Sequence, residues 1–404
     1  MDKLDIFLGD QLVGHLSRAG ERFCFEYLHA YDGPAVFLGW SPGQRSREWD
    51  HFPPAFDSLL PEGVLLDQLL LKHKLDKADK WGQLAAVGRD LTGFVSVLPA
   101  GSTEGPLGKV VPEQKARKRV AIDPGEHSMP YTIAELVSYH SKHKLRMSLS
   151  GVQPKISAVF SRKESVFRIV ETSGSYILKP SPLAFPGTAE VEAVTMELAR
   201  QAGIAVPLCG WLPSKDGQGV FWIERFDRWG PANRNRLRCE DACQILEVPA
   251  SWKYAGNLEA LARMIQEHCS NPRLQLIKFF QRVLFCWVTG NGDMHLKNWS
   301  LIENGPLIEL APAYDLLSTR LLLDDEEDSA LTLDGRKSGF GRELLVDYLG
   351  REVCAINERM LDKTLQSLAG VSWYPTLLGS KLEIDIAQSY NRIIEHRLAL
   401  LGLK

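Results

Sequence analysis

The chain has no apolar run long enough to span a bilayer, which takes roughly 18 or more uninterrupted apolar residues. The nearest approach, Phe279 to Val288, is broken by Gln281 and Arg282. Charge of one sign is also missing: 47 Lys and Arg stand against 50 Asp and Glu, a net charge of −3. A chain so balanced has no electrostatic footprint for gripping nucleic acid unaided, although a local patch or a basic partner would supply one. Cysteine is sparse, seven residues in an odd, scattered set. Only Cys239 and Cys243 are close, at a spacing that suits one helix face better than a zinc knuckle or redox pair, so they read as reduced buried thiols. The acidic opening Met1-Asp-Lys-Leu-Asp5 is followed by no apolar signal core, which predicts no targeting leader. No internal repeat and no Ser-His-Asp arrangement with a nucleophile turn is present. Together these absences predict a cytoplasmic protein without membrane attachment.

What is present is ordinary globular material. The 404 residues are 45% apolar and 24% charged, room for two or three domains with sizeable cores. Leu4 to Leu8 and Gln11 to Leu16 flank the turn dipeptide Gly9-Asp10, a hairpin pattern. Arg22 to Leu28 alternates Phe23, Phe25 and Tyr27 with polar residues, a third strand. Residues 99–130 are rich in Pro and Gly around the basic run Lys115-Ala-Arg-Lys-Arg119, which reads as a bridging segment with a solvated face. From residue 156 three short strands precede a helix over Glu190 to Gln201, and two more strands follow, Val206 to Leu212 and Val220 to Ile223. Beyond Asp241 apolar residues recur at helical spacing. The expected organisation is a β-rich unit over 1–110, a bridge over 111–144, a β lobe over 145–228 and a helical lobe over 229–404.

The chemistry concentrates in Gly290-Asn-Gly-Asp293-Met-His295-Leu-Lys-Asn298, directly after the long apolar helix ending near Val288. Phosphoryl transfer to a hydroxyl needs a carboxylate to take the proton and a nearby neutral oxygen ligand for magnesium; protein kinases space an Asp and an Asn this way. Asp293 and Asn298 fit, although Asn-Gly-Asp is also a common turn. A second carboxylate, Asp315, follows a hairpin pattern around Glu303-Asn-Gly-Pro306 that returns it toward Asn298. It is either a second magnesium oxygen or a helix N-cap. Lys179 ends a strand and is either an edge-strand lysine or a phosphate clamp, with Glu190 or Glu192 of the next helix as its ion-pair partner. The loop Ser148 to Lys155 lacks a G-x-G-x-x-G pattern. Ser148, Ser150, the Gly151 and Val152 backbone, Gln153 and Lys155 would either cover phosphates or form a polar turn. Glu224-Arg-Phe226-Asp227 ends the β lobe, as an adenine-edge segment or a linker. His295 is a base, a ligand or a structural histidine. His140 and His143 read as surface residues, and Asp324-Asp-Glu-Glu-Asp328 as a solvated loop.

The order of these features is that of a kinase. Ser148-Leu-Ser-Gly-Val-Gln-Pro-Lys155, Tyr176-Ile-Leu-Lys-Pro180, Glu224-Arg-Phe-Asp-Arg228, Gly292-Asp-Met-His-Leu-Lys-Asn298, Ala313-Tyr-Asp-Leu-Leu-Ser318 and Ala330-Leu-Thr-Leu-Asp-Gly335 resemble the HipA-type toxin serine/threonine kinases. The resemblance implies an α+β, bilobal protein-kinase-like fold: an extra N-terminal β subdomain, a β-rich lobe and a mostly helical C-terminal lobe. It implies ATP with Mg2+, transfer to a serine of a host protein such as an aminoacyl-tRNA synthetase, and a helix-turn-helix antitoxin partner of the HipB kind that carries the complex to operator DNA. Matched motif by motif, Asp293 is the base, Asn298 and Asp315 hold magnesium and Lys179 binds phosphate. Glu224, Phe226 and Asp227 meet the nucleotide, with His295 beside it. Gly151, Val152, Gln153 and Lys155 lie in the phosphate loop. Autophosphorylation falls on Ser148 or Ser150. The rival readings are a lipid or small-molecule kinase, and a co-repressor scaffold that binds antitoxin without turnover.

Overall fold

A computed structural model describes residues 2–110, 129–138, 153–182, 184–230, 233–323 and 325–403. Ser148, Ser150, Gly151, Val152, the basic run at 115–119, His140, His143 and Asp324 lie outside the described residues.

The expected N-terminal hairpin forms from strands Asp2–Leu8 and Gln11–Ala19, antiparallel about Gly9, whose φ of 60° suits a residue without a side chain. Strands Arg22–Tyr27 and Ser46–Trp49 extend it on one side and Val95–Pro99 on the other, giving five antiparallel strands. The period-two pattern buries Leu4, Ile6 and Leu8 on one face. They join Phe25, Phe37, Trp40, Phe56 and Leu84 in a core of their own.

A second five-stranded sheet runs in the order Cys209–Pro213, Gly219–Glu224, Tyr176–Pro180, Ile156–Ser161, Val166–Ile169. Lys179 therefore sits on the central strand, opposite Phe221, and is 4% exposed. An edge lysine would be solvated, so that reading falls. Helix Thr188–Gln201 packs on this sheet through Ala189, Val191, Val194 and Leu198.

The C-terminal lobe is built on helices Leu258–His268, Pro272–Val288, Glu358–Ala369 and Ile384–Leu400. Pro272 starts the second of these behind an Asn271 cap, and its Phe279, Phe280, Phe285 and Val288 are fully buried. That helix ends where the expected catalytic loop begins. Strands Ser300–Asn304 and Leu307–Leu310 form the expected hairpin, and Cys239–Asp241 adds a third strand to it. Cys239 and Cys243 do not share a helix face: the first lies in that strand, the second in the short helix Ala242–Ile245, and both are buried free thiols.

The N-terminal unit is joined to the rest by buried charge. Asp90 accepts from Arg228 at 3.0 Å and from Arg236 at 2.7 Å, and Arg228 is fully buried. Arg238 pairs with Glu240 at 3.0 Å, both buried, while its guanidinium also donates to the Ala35 carbonyl. Glu240 accepts the Leu38 amide, and Glu247 accepts from Trp40 and Arg47. Among the described residues no helix is long and apolar enough to cross a membrane.

Candidate active site

A cleft of about 450 Å³ opens between the lobes. Its wall includes Gln153, Lys155, Lys179, Glu192, Glu224, Phe226, Asp293, His295, Asn298 and Asp315, so the candidate side chains that the structure describes share one cavity.

The centre is a chain of alternating charges. Lys179 Nζ donates to Glu192 Oε1 at 2.5 Å and to Asp315 Oδ1, and Lys155 Nζ reaches Asp315 Oδ2 at 3.4 Å. Of the two expected partners Glu192 is the one used; Glu190 accepts instead from Trp211. Burial works against a charged Lys179, but Asp315 and Glu192 outweigh it and raise its pKa. Burial likewise opposes the Asp315 carboxylate, but Lys155 and Lys179 hold it well below the usual carboxylate range. Asp315 caps no helix. It has a left-handed backbone, φ 54°, a conformation Asp tolerates better than most residues, and Asn291 Nδ2 holds its carbonyl at 3.2 Å.

The loop from Gly290 to Asn298 is fixed from within. Asn291 Oδ1 accepts the Asp293 amide at 3.1 Å, and Asn298 Nδ2 donates to the Asp293 carbonyl at 3.0 Å. The bond uses the amide nitrogen of Asn298, whose side chain lines the same cleft as the carboxylate of Asp315. Among the described residues no three His, Cys, Asp or Glu side chains gather into a metal cage. One neutral oxygen and one carboxylate match magnesium, which completes its shell with phosphate oxygens and water. Asp293 Oδ1 accepts from the Tyr254 hydroxyl at 2.8 Å. Burial raises the Asp293 pKa, with the Tyr254 hydrogen bond opposing, which favours a proton acceptor. His295 is buried edge-on against Tyr254, and burial, helped by Lys253, pushes its pKa down to about 3. It is an uncharged imidazole, a poor base, and its Nδ1 has no hydrogen-bond partner among the described residues.

Phe226 lies 5.7 Å from the Tyr314 ring and, with Ile177 and Ile223, gives one end of the cleft an apolar lining. Asp227 is held differently from its neighbours. It lines the cleft, but its carboxylate is buried under Arg225 and Arg228 and accepts the Gly93 amide, so the side chain braces the segment that carries Glu224 and Phe226.

Sequence reasoning missed several contributors. Thr319 accepts the Gly292 amide at 2.8 Å and donates to Glu326. A Cβ at Gly292 would lie 2.6 Å from Glu326 Cδ, so only glycine admits this carboxyl against the loop. The solvated-loop expectation for 324–328 therefore fails at Glu326, and again at Asp328, which pairs with buried Arg397 at 2.7 Å. Burial pushes the Glu326 carboxyl up to about 7; the Thr319 hydroxyl opposes and the charge of Asp293 adds. Its ordinary value is 4.5. Between those values the folded chain holds a proton that the unfolded chain has lost, so stability falls as pH rises through that window. Urea midpoints measured from pH 5 to pH 7.5 should decline in the native chain and decline less in Glu326→Gln.

A β lobe and a helical lobe meeting at a loop that carries Asp293 and Asn298, behind an extra N-terminal β unit, define a bilobal protein-kinase-like fold. The comparisons with known proteins are narrower. A family model described as the HipA-like C-terminal domain matches residues 147–371, and one described as the HipA N-terminal domain matches residues 4–98. The chain belongs to the HipA family. The putative kinase Y4dM of Sinorhizobium fredii is 31% identical over 301 residues, 70% of this chain and 66% of that protein, just under two thirds of its length. The serine/threonine-protein kinase toxin HipA of Shewanella oneidensis is 26% identical over 352 residues, covering 82% of this chain and 78% of that one. Among solved structures, the Shewanella oneidensis HipA, HipB and operator DNA complex matches with a TM-score of 0.71 at 22% identity, over 99% of this chain and 96% of that chain.

Proposed function

We propose that this chain is an ATP-dependent serine/threonine protein kinase acting as a HipA-like toxin. The observation that carries the reading is the Lys155–Asp315–Lys179–Glu192 relay in the same cleft as Asp293 and Asn298. Ile177, Ile223 and Phe226 receive the adenine, while Lys155 and Lys179 meet the phosphates, with Gly151, Val152 and Gln153 covering them. Asn298 and Asp315 hold Mg2+, which neutralises phosphate charge when bound. Asp293 takes the proton from an acceptor serine as its oxygen bonds to the γ-phosphorus and the bond to the β-phosphate oxygen breaks, releasing ADP.

The functional units are a β subdomain over 1–110, a bridge over 111–144, a kinase N-lobe over 145–228 and a C-lobe over 229–404. The acceptor is a host protein, with an aminoacyl-tRNA synthetase as the first candidate. A HipB-like helix-turn-helix antitoxin restrains the toxin and carries it to operator DNA. Phosphate on Ser148 or Ser150 adds a charge of about −2 at the phosphate loop, which repels the loop from a bound nucleotide and silences the enzyme.

Purified chain incubated with labelled ATP and magnesium should label its own 148–155 peptide, and Ser148→Ala or Ser150→Ala, made separately, should remove that label in one case. Tight antitoxin binding with no label on any acceptor would favour the scaffold reading. A phosphoproteome of cells briefly expressing the chain names the substrate.

A further inference from the structure

The cleft wall is not made by the two kinase lobes alone. Residues Ser58 to Glu62 of the N-terminal unit line it too. Glu62 accepts from Lys253 through Oε2 at 2.7 Å and from Lys297 through Oε1 at 2.6 Å. Lys297 is the residue before Asn298, and its Nζ also donates to the Ser58 carbonyl at 2.9 Å. Lys253 is buried, and its carbonyl accepts the Leu296 amide at 3.1 Å, so the same carboxylate grips the catalytic loop twice, once by a loop side chain and once through the segment the loop hangs on. The N-terminal segment is itself fixed: Ser58 Oγ donates to Asp241 Oδ2 at 2.6 Å, and Asp57 accepts the Ala250 amide at 3.0 Å.

We infer that Glu62 is a positioning residue for phosphoryl transfer, through which the N-terminal unit sets the catalytic loop. The path runs through covalent neighbours and hydrogen bonds. Glu62 fixes Lys297, Lys297 fixes the backbone at Asn298, and the Asn298 amide fixes the Asp293 carbonyl. A carboxylate shared by two ammonium groups is a stiff junction, because each charge-assisted bond restrains the other's partner. Burial opposes ionisation of Glu62, but Lys297 and Lys253 outweigh it and bring its pKa down to about 2, so the junction is charged throughout the working range. Loss of the junction loosens the loop without touching the adenine end of the cleft. The effect therefore falls on the chemical step and not on nucleotide capture. The kinetic half of this inference rests on the kinase reading above; the structural half does not.

The test uses the full chain with Glu62→Gln, which keeps the shape and removes the charge, and Glu62→Asp. Hydrogen exchange without nucleotide should speed up about tenfold at the 293–299 amides in Glu62→Gln, with the N-terminal sheet unchanged. Autophosphorylation should show kcat reduced about 10- to 100-fold and the KM for ATP within about twofold, as expected for misplacement of a reacting group by about 1 Å. Glu62→Asp should recover part of both. Native exchange and native kcat in Glu62→Gln would overturn the inference, as would faster exchange spread evenly over the chain. If the wild-type chain labels nothing, the kinase reading fails and the exchange measurement alone decides the role of Glu62.

Discussion

Asp293→Asn should fold normally and lose phosphoryl transfer by about 10²- to 10⁴-fold, the range that a positioned general base contributes. The substitution is nearly isosteric. The Tyr254 hydroxyl keeps an oxygen to donate to, and the two asparagines that hold the loop, Asn291 and Asn298, act on the Asp293 backbone. Only proton affinity is removed. The charge of Asp293 also presses on Glu326, so the thermal midpoint of the variant near neutral pH should equal or exceed that of the native chain. Labelled phosphate on any acceptor and a melting curve on the same sample check both halves. Transfer at the native rate would remove Asp293 from the mechanism and the kinase proposal with it.

Lys179→Met should instead cost both activity and fold. Lys179 and Glu192 are 4% and 1% exposed, and the ammonium group is all that separates Glu192 from Asp315. Without it buried Glu192 loses its ion-pair partner, and only the more exposed Lys155 remains on Asp315. Breaking a buried pair on one side costs about 3–5 kcal/mol, whereas replacing both members with apolar groups of similar volume is close to neutral. The double variant Lys179→Met with Glu192→Leu should therefore recover most of the lost urea midpoint. Transfer should stay down by about 10²- to 10³-fold in both, as for removal of a fixed donor from a developing anion. Recovery of activity in the double variant would show that Lys179 serves the fold alone.

The parts of this site that the sequence made legible share a cause. Lys179 and Asn298 stand near the ends of regular elements, and Asp293 and Asp315 stand in the irregular segments just after a helix and a strand, where an apolar pattern stops and a polar residue is conspicuous. The N-terminal hairpin was legible for the same reason, a period-two pattern broken by Gly-Asp. What was hidden depends on contacts far apart in the chain. Glu62 reaches Lys297 across 235 positions, and nothing local marks either residue. Glu326 sits in an acidic run whose composition says solvent; a side chain missing at Gly292 lets it fold inward. Asp227 carries a motif position, yet it spends its carboxylate on two arginines, because the strand end around it is packed with guanidinium groups that need an anion.

The seam formed by Asp90, Arg228 and Arg236 on one flank and by Arg238 and Glu240 on the other has a consequence for recombination among homologues. Asp90 alone of these belongs to the N-terminal unit, and a buried guanidinium left without its acid is worse than a missing contact. Swapping the first hundred residues for those of another homologue therefore works only when an acid at the position of Asp90 travels along.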